Sequence, residues 1–315
     1  MFDKKRAFNK LKRIKDLNIA EDMSMAPFSN FKLGGPADIY IRPQTEKAFV
    51  AAIQLIRQED WKLTVLGLAT NVLISDLGIR GIVCQLSPEM AGINILDNEL
   101  TASAGARLSD LAAKGAAAGL AGLAFSSGIP GSVGGAVVMN AGAYTGKMAD
   151  IVLRSQYLDA EGQVRTLEAT EHNFNYRGSF FNDNTDCFVI NTTFKLQPAP
   201  AQDIYDEMSD IALRRYKSQP LNYPSAGSAF KRPPGHFAGK LISDSGLKGF
   251  WHGHAGVSGK HAGFIIQDGK SNASEVLEVF HIVQNKVYEN FDVMLYPEVK
   301  FIGDWQEELP QRNSD

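Results

Sequence analysis

The sequence predicts an α+β fold of two or three modules rather than a doubly wound parallel sheet. Strand-like runs and helical periods follow one another without strict β-α alternation, which a doubly wound sheet requires. A glycine-rich stretch, residues 128–144, separates two groups of strands. The 315 residues exceed the ~100–200 that one domain commonly uses, so each module can bury its own apolar face.

Residues 1–30 form a basic lead, expected to be helical. Lys4, Lys5, Arg6, Lys10, Lys12, Arg13 and Lys15 supply its charge, and Phe8, Leu11 and Ile14 can share one face of a packing helix. The first module, residues 31–90, opens with a strand at 38–42. Thr45 then caps a helix in which Phe49, Ile53 and Ile56 recur at helical spacing. Strands at 64–66, 72–75 and 81–86 follow, the last two joined by the turn Asp76-Leu77-Gly78.

The second module, residues 91–200, begins with strands from Ile93 and continues through an alanine-rich helix at 108–118. After the glycine-rich stretch come strands near 153–158, 164–168 and 187–196, and Pro198-Ala199-Pro200 closes the module. The third module, residues 201–303, starts with a helix at 203–216 and runs through a loop region punctuated by Pro220, Pro224, Pro233 and Pro234. It ends with a helix from Ser274, where Val276, Phe280, Val283 and Val287 mark one buried stripe. Residues 304–315 read as a polar tail.

Hydrophobic residues make up 44% of the chain and charged residues 21%, with a net charge of -3. This balance lacks the positive excess of a nucleic-acid binder, so no nucleic-acid partner is expected. No apolar run reaches the ~18 residues of a membrane span, and the basic N-terminus has no apolar segment behind it. Neither a leader nor membrane insertion is expected. Cys84 and Cys187 lie far apart, each in an apolar run, and read as buried thiols of a reducing, cytoplasmic compartment.

Gly128, Gly131, Gly134 and Gly135 can take positive φ at no steric cost, so consecutive N–H groups can turn to one side and form a concavity for a cofactor diphosphate. A tight turn between core segments is the competing reading of the same glycines. The dinucleotide fingerprint fails at Gly67-Leu68-Ala69, which lacks the second glycine, and residues 128–135 have another spacing. The phosphate-loop pattern fails as well, because Gly146-Lys147 has Ala141 at the required glycine position and Met148 in place of a hydroxyl residue. His252, His254 and His261 have neither clustered cysteines nor spaced carboxylates beside them, so they read as a polar loop and no metal is expected.

Six motifs then occur in a telling order. They are Lys32-Leu33-Gly34-Gly35-Pro36-Ala37-Asp38; Gly67 to Asn71; Gly128 to Ala136 with Met139-Asn140-Ala141-Gly142-Ala143-Tyr144; Tyr176-Arg177-Gly178-Ser179; Pro224-Ser225-Ala226-Gly227-Ser228-Ala229-Phe230; and Tyr296-Pro297-Glu298-Val299. This order resembles that of the UDP-N-acetylenolpyruvoylglucosamine reductase (MurB) family, from residue 31 to residue 303. The chain is most similar to its shorter subtype, in which Pro-Ser-Ala-Gly-Ser is followed closely by Pro-Pro-Gly-His-Phe-Ala-Gly-Lys, here residues 233–240.

The resemblance implies FAD held by two small modules of the vanillyl-alcohol-oxidase (PCMH) type, residues 31–90 and 91–200, with substrate on a C-terminal α+β domain, residues 201–303. It implies NADPH as co-substrate, and reduction of UDP-N-acetylglucosamine enolpyruvate to UDP-N-acetylmuramate in peptidoglycan precursor synthesis. A cytoplasmic monomer is expected. FAD would be held by Gly67, Ala69, Thr70 and Asn71, and by Gly128, Ile129, Pro130, Gly131, Ser132, Gly134, Gly135, Ala136 and Asn140.

Hydride addition to the terminal vinyl carbon builds negative charge beside the substrate carboxylate, so a fixed cation, a second polar group and a proton donor must converge there. By resemblance these are Arg177, Glu298 and Ser228, the last as proton donor. The guanidinium fork suits a planar carboxylate, and Gly227 leaves room beside Ser228. Glu298 follows a proline that presets an extended backbone and would help to polarise the developing enolate. Tyr176 would line the same pocket, and Lys231 and Arg232 would meet the UDP diphosphate. Taken alone, Ser228 reads as a helix or turn cap, Arg177 as a surface arginine, and Lys231-Arg232 as a solvated basic turn.

The chain departs from the family pattern at three places. The first flavin loop usually reads Gly-x-Gly-Ser-Asn, against Gly67-Leu68-Ala69-Thr70-Asn71 here. If the third position needs positive φ, the Cβ of Ala69 costs on the order of 1 kcal/mol and loosens FAD, while Thr70 keeps the hydroxyl. Ser218 stands where many relatives carry Lys before Gln-Pro, with Lys217 one position away, and Gln267 stands where they carry Asn. A weaker or slower enzyme than a motif-perfect relative is expected. Two other functions suit parts of the pattern: a flavin oxidase of the same cofactor fold, and a flavin-free paralogue that binds a UDP-sugar or a protein partner as a sensor. No His or Cys stands in the two cofactor loops to tether FAD, as many such oxidases do.

Overall fold

Strands and helices alternate irregularly in the computed structural model, which describes residues 2–86, 88–90 and 92–310. A four-stranded sheet has the order Leu17–Ser24, Pro36–Pro43, Ile79–Gln85, Leu63–Leu66. Its last pair is parallel, Leu63 opposite Ile82 and Leu66 opposite Gln85. The helix Glu46–Gln58 starts where the sequence predicts, because the Thr45 side chain accepts from the Ala48 amide at 3.1 Å. Phe49, Ile53 and Ile56 on its inner face are fully buried.

The N-terminal lead is less helical than expected. Helix Lys4–Leu11 buries Ala7 and Leu11, and Arg6 and Lys10 both pair with Glu59. The helix ends there because no apolar period continues past Ile14, and Leu17–Ser24 instead satisfies its backbone as a strand beside Pro36–Pro43.

A second sheet is antiparallel throughout, in the order Val164–Glu168, Val152–Leu158, Phe188–Lys195, Glu99–Ser103, Ile93–Leu96. Cys84 is fully buried, and burial raises its thiol pKa. Cys187, expected to be buried, is only half so, since it ends the turn in which its amide bonds Asn184 and lies just before the strand.

The chain divides into two compact units. The first takes the chain up to Glu21, Ile39–Leu68 and Gly81–Arg215; the second takes Asp22–Asp38, Ala69–Arg80 and the chain from Tyr216 onward. In the second unit an antiparallel sheet has the order Ser225–Ser228, Phe264–Gln267, Ala255–Val257, Trp251–His252. Helix Ala273–Phe291 is capped by Asn272, whose side chain accepts from Glu275 N at 2.8 Å. Its stripe Val276, Phe280, Val283 and Val287 is fully buried, and the Phe280 ring lies 5.2 Å from the rings of Phe230 and Phe301.

The strand Lys300–Ile302 runs parallel to Val72–Ile74 in the same unit. The segment after it is less polar than expected, because Trp305 and Leu309 pack on the second core; residues 311–315 of the expected tail lie outside the described residues. Among the described residues no helix is long and apolar enough to cross a membrane.

Candidate active site

In the first unit two glycine-bearing loops meet. Tyr40, deep in the sheet, donates to Gln85 Oε1 at 2.7 Å, and Gln85 Nε2 donates to the Gly67 carbonyl at 3.1 Å, fixing the end of strand Leu63–Leu66. Burial lifts the Tyr40 pKa to about 12, so its hydroxyl stays a donor. A Cβ on Gly67 would collide with Ser132 Oγ. Ser132 in turn caps the short helix Val133–Val138, its hydroxyl accepting from Gly135 N.

None of Gly128, Gly131, Gly134 and Gly135 uses the positive φ open to it: the left-handed glycines lie elsewhere in the chain. At Gly134 and Gly128 small size serves close packing instead. Gly134 N donates to Ala104 O at 2.9 Å, so a Cβ on Gly134 would sit 2.8 Å from Ala104 Cβ. Gly128 lies under Arg215, where a Cβ would come within 2.6 Å of Cδ. Arg215 escaped the sequence reading, since nothing local in the helix Ala201–Ser218 distinguishes it; burial lowers its pKa. Ile129 packs on the first core, Ala136 is buried, and Pro130 is exposed.

Arg177 sits in a tight turn of this unit. Asn175 and Gly178 bond each other across a two-residue turn, with Tyr176 and Arg177 at its tip. Arg177 has φ of 61°, which type II turns reserve for glycine or asparagine at this position, and a non-glycine residue there stores about 1–2 kcal/mol. Its Nη1 donates to the Gly142 carbonyl at 3.4 Å, and its guanidinium stands 5.5 Å from the Tyr176 ring centre. Asn140, also left-handed at φ 42°, is buried; its Nδ2 donates to Asn175 O at 2.8 Å and its Oδ1 accepts from Ala149 N at 3.0 Å.

The second unit brings together Asn71, Ser228 and Glu298. Among the described residues Ser228 caps no helix. It is the exposed last residue of strand Ser225–Ser228, opposite Phe264 after a register shift. Gly227 makes that shift at φ 79°, with nothing within 4 Å of where its Cβ would be, so the space beside Ser228 is open. Glu298 N donates to Ala229 O at 2.9 Å, Pro297 bridges Phe230, and Asn71 Nδ2 donates to Glu298 O at 3.1 Å. Ala69 is left-handed at φ 49° and accepts from Asn30 N at 3.1 Å; Thr70 follows it.

Lys231 N donates to Tyr296 O at 2.8 Å, continuing the pairing around Glu298. Arg232 is tied into its own loop, its Nε donating to His236 O at 3.2 Å and its guanidinium 3.9 Å from the Phe237 ring centre. Gln267 is buried and donates to Phe31 O at 2.8 Å. Lys217 lines a groove of about 390 Å³ with Tyr216, Leu221, Asn222 and Lys260, none of which except Lys217 was singled out from the sequence. His252 and His254 bond the carboxylates of Glu278 and Asp268 at 2.6 and 2.9 Å.

Residues 37–168 match the model of an FAD binding domain, and residues 219–302 match that of the C-terminal domain of UDP-N-acetylenolpyruvoylglucosamine reductase. The fold is that of a flavoprotein with a PCMH-type FAD domain followed by the reductase C-terminal domain. A reductase of that name from Agathobacter rectalis is 41% identical over 305 residues, covering 93% of this chain and 96% of its own. One from Clostridium botulinum strain Alaska E43 is 42% identical over 290 residues, covering 92% and 95%. The crystal structure of UDP-N-acetylenolpyruvylglucosamine reductase (MurB) from Thermus caldophilus matches with a TM-score of 0.77 at 32% identity, over 91% of this chain and 99% of that one. The chain belongs to the UDP-N-acetylenolpyruvoylglucosamine reductase family.

The residues of the first unit fit FAD. Gly67 and Gly134 let the two loops pack closely, since a Cβ on Gly67 would meet Ser132 Oγ and one on Gly134 would meet Ala104, so main-chain groups of both loops are held at one place. Main-chain N–H groups held in this way can serve a cofactor diphosphate.

Proposed function

We propose that this protein reduces UDP-N-acetylglucosamine enolpyruvate to UDP-N-acetylmuramate for peptidoglycan precursor synthesis, acting as a cytoplasmic monomer. FAD, when bound, supplies the hydride that NADPH provides. Gly67, Ala69, Thr70, Asn71, the residues from Gly128 to Ser132 and those from Gly134 to Ala136 are the proposed cofactor positions, with Tyr176, Lys231 and Arg232 facing substrate. Arg177 carries the charge that holds the substrate carboxylate, where its fork offers two parallel donors. Glu298 assists as negative charge develops at the adjacent carbon. Ser228 Oγ delivers the proton to that carbon.

The observation that supports the roles of Ser228 and Glu298 is the bond from Glu298 N to Ala229 O, next to Ser228 and to the open space at Gly227. Family membership and the FAD domain support the reaction as a whole.

An anaerobic visible spectrum of the purified protein tests the reading. NADPH should bleach the flavin, and UDP-N-acetylglucosamine enolpyruvate should restore its absorbance. Flavin that stays reduced until oxygen enters would point to an oxidase, and protein that cannot be reconstituted with FAD would point to a flavin-free sensor.

A further inference from the structure

Two sequence motifs that lie apart in the chain, residues 139–144 and residues 176–179, form one hydrogen-bonded assembly in the first unit. Asn140 Nδ2 donates to Asn175 O at 2.8 Å on one side of the Tyr176-Arg177 tip, and Ser179 Oγ donates to Val138 O at 2.9 Å on the other. The Gly142 carbonyl then receives Arg177 Nη1. The left-handed turn at Arg177 is thus pinned on both flanks to the end of helix Val133–Val138.

Both ends of the Asn140 amide are engaged in this assembly. Its amide nitrogen holds the turn, and its oxygen accepts from Ala149 N. Asn140 and Ser179 are both buried, so water replaces neither bond readily. A strained tip persists only where its surroundings over-determine it, and these two side chains do that here.

We propose that Asn140, which the resemblance counts among the FAD positions, is instead a positioning residue for Arg177: through Asn175 it holds the guanidinium where the substrate carboxylate is received, its own amide being given to Asn175 and Ala149 and not to cofactor or substrate. This rests on the role given to Arg177 above. Asn140→Gly is the sharp variant, because glycine accepts φ of 42° without strain and removes only the amide.

In anaerobic rapid mixing, Asn140→Gly should keep full FAD content and a near-normal rate of flavin bleaching by NADPH. Recovery of absorbance on adding enolpyruvyl substrate should slow on the order of tenfold to a hundredfold, as small misplacements of a reacting group do. In an Arg177→Ala background the same substitution should add no further slowing, since it would act only through the missing guanidinium. Loss of FAD from Asn140→Gly, independent, multiplicative slowing in the double variant, equal slowing of both half-reactions, or wild-type recovery in Asn140→Gly would each overturn the proposal. If Arg177→Ala alone recovers at the wild-type rate, the role of Arg177 is what fails. Should Asn140→Gly not fold, Ser179→Ala, which unpins the other flank, must give the same coupled slowing or the positioning assembly is refuted.

Discussion

The main-chain N–H of Glu298 donates to the carbonyl of Ala229 at 2.9 Å, one residue beyond Ser228. Two segments far apart in the sequence therefore share a register at the point where acid chemistry is proposed. Asn71 braces the same place by donating to the Glu298 carbonyl.

Ser228→Ala should consequently leave the fold and FAD content unchanged while slowing substrate-dependent flavin recovery by about 10²–10⁴-fold, the usual worth of a positioned proton donor. Ser228 is exposed and, among the described residues, caps no helix, so no stability loss is expected to confuse the result. Transient absorbance after mixing reduced enzyme with substrate measures it. A tenfold or smaller effect would take the donor role away from Ser228.

Gly67→Ala should lose FAD and stability together, because its methyl would meet Ser132 Oγ at a backbone fixed by Gln85. Overpacking of this kind costs about 1–3 kcal/mol. Ser132→Ala in the same chain removes the colliding oxygen and should restore part of the FAD affinity, despite losing a helix cap worth about 1 kcal/mol. Flavin fluorescence titration of the two variants decides the matter. Equal FAD affinity in both would show that the collision is not what matters.

What could be read from the sequence was local. Thr45 capping a helix, and Val276, Phe280, Val283 and Val287 on one face, are patterns that a few turns of chain determine by themselves. The motifs around Ser228 and Glu298 were visible too, but not the Glu298–Ala229 bond that joins them, because strand register depends on distant partners. The glycines from 128 to 135 misled for a related reason. Gly can serve either positive φ or close approach, and only the position of Ala104 and Arg215 distinguishes these. The strand Leu17–Ser24 carries Asn18, Glu21 and Asp22 with no clean alternation, so its ladder partner, not its own pattern, makes it a strand.

Ala69 does occupy the left-handed region, at φ 49°, as the departure from the family pattern led us to suspect. Ala69→Gly relieves about 1–2 kcal/mol of backbone strain, and offsets this with roughly 0.5–1 kcal/mol of unfolded-state entropy and the loss of a buried methyl. Thermal stability should stay within about 1 kcal/mol of the parent, whereas FAD should bind more tightly. Ala69→Val, β-branched at positive φ, should fall well below both. A tighter FAD complex in the parent than in Ala69→Gly, by fluorescence titration, would refute the idea that Ala69 weakens the cofactor loop.

His172 makes stability depend on pH in a window that the carboxylates leave clear. It is fully buried, stacked on Phe174, with Nδ1 donating to the Glu168 carbonyl at 2.8 Å and Nε2 accepting from Ser155 at 2.9 Å. Nδ1 is assigned the proton because a carbonyl can only accept. Burial lowers the His172 pKa below its ordinary 6.5, and the same cause lowers that of His261. The unfolded chain thus takes up protons first as pH falls through about 6.5, so the stability these rings contribute is present above that pH and is lost below it, by at most about 1.4 kcal/mol per pH unit for each ring. Glu59, Asp159, Asp268 and Glu307, whose pKa values are lowered mainly by side-chain hydrogen bonds, withdraw their contribution only at more acid pH. Denaturant melts from pH 8 to 5 should show a steady loss below 6.5. His172→Gln should be less stable at pH 8 yet lose less between 6.5 and 5, retaining only the share that His261 contributes; a slope as steep as the parent's would remove His172 as a source of the acid sensitivity.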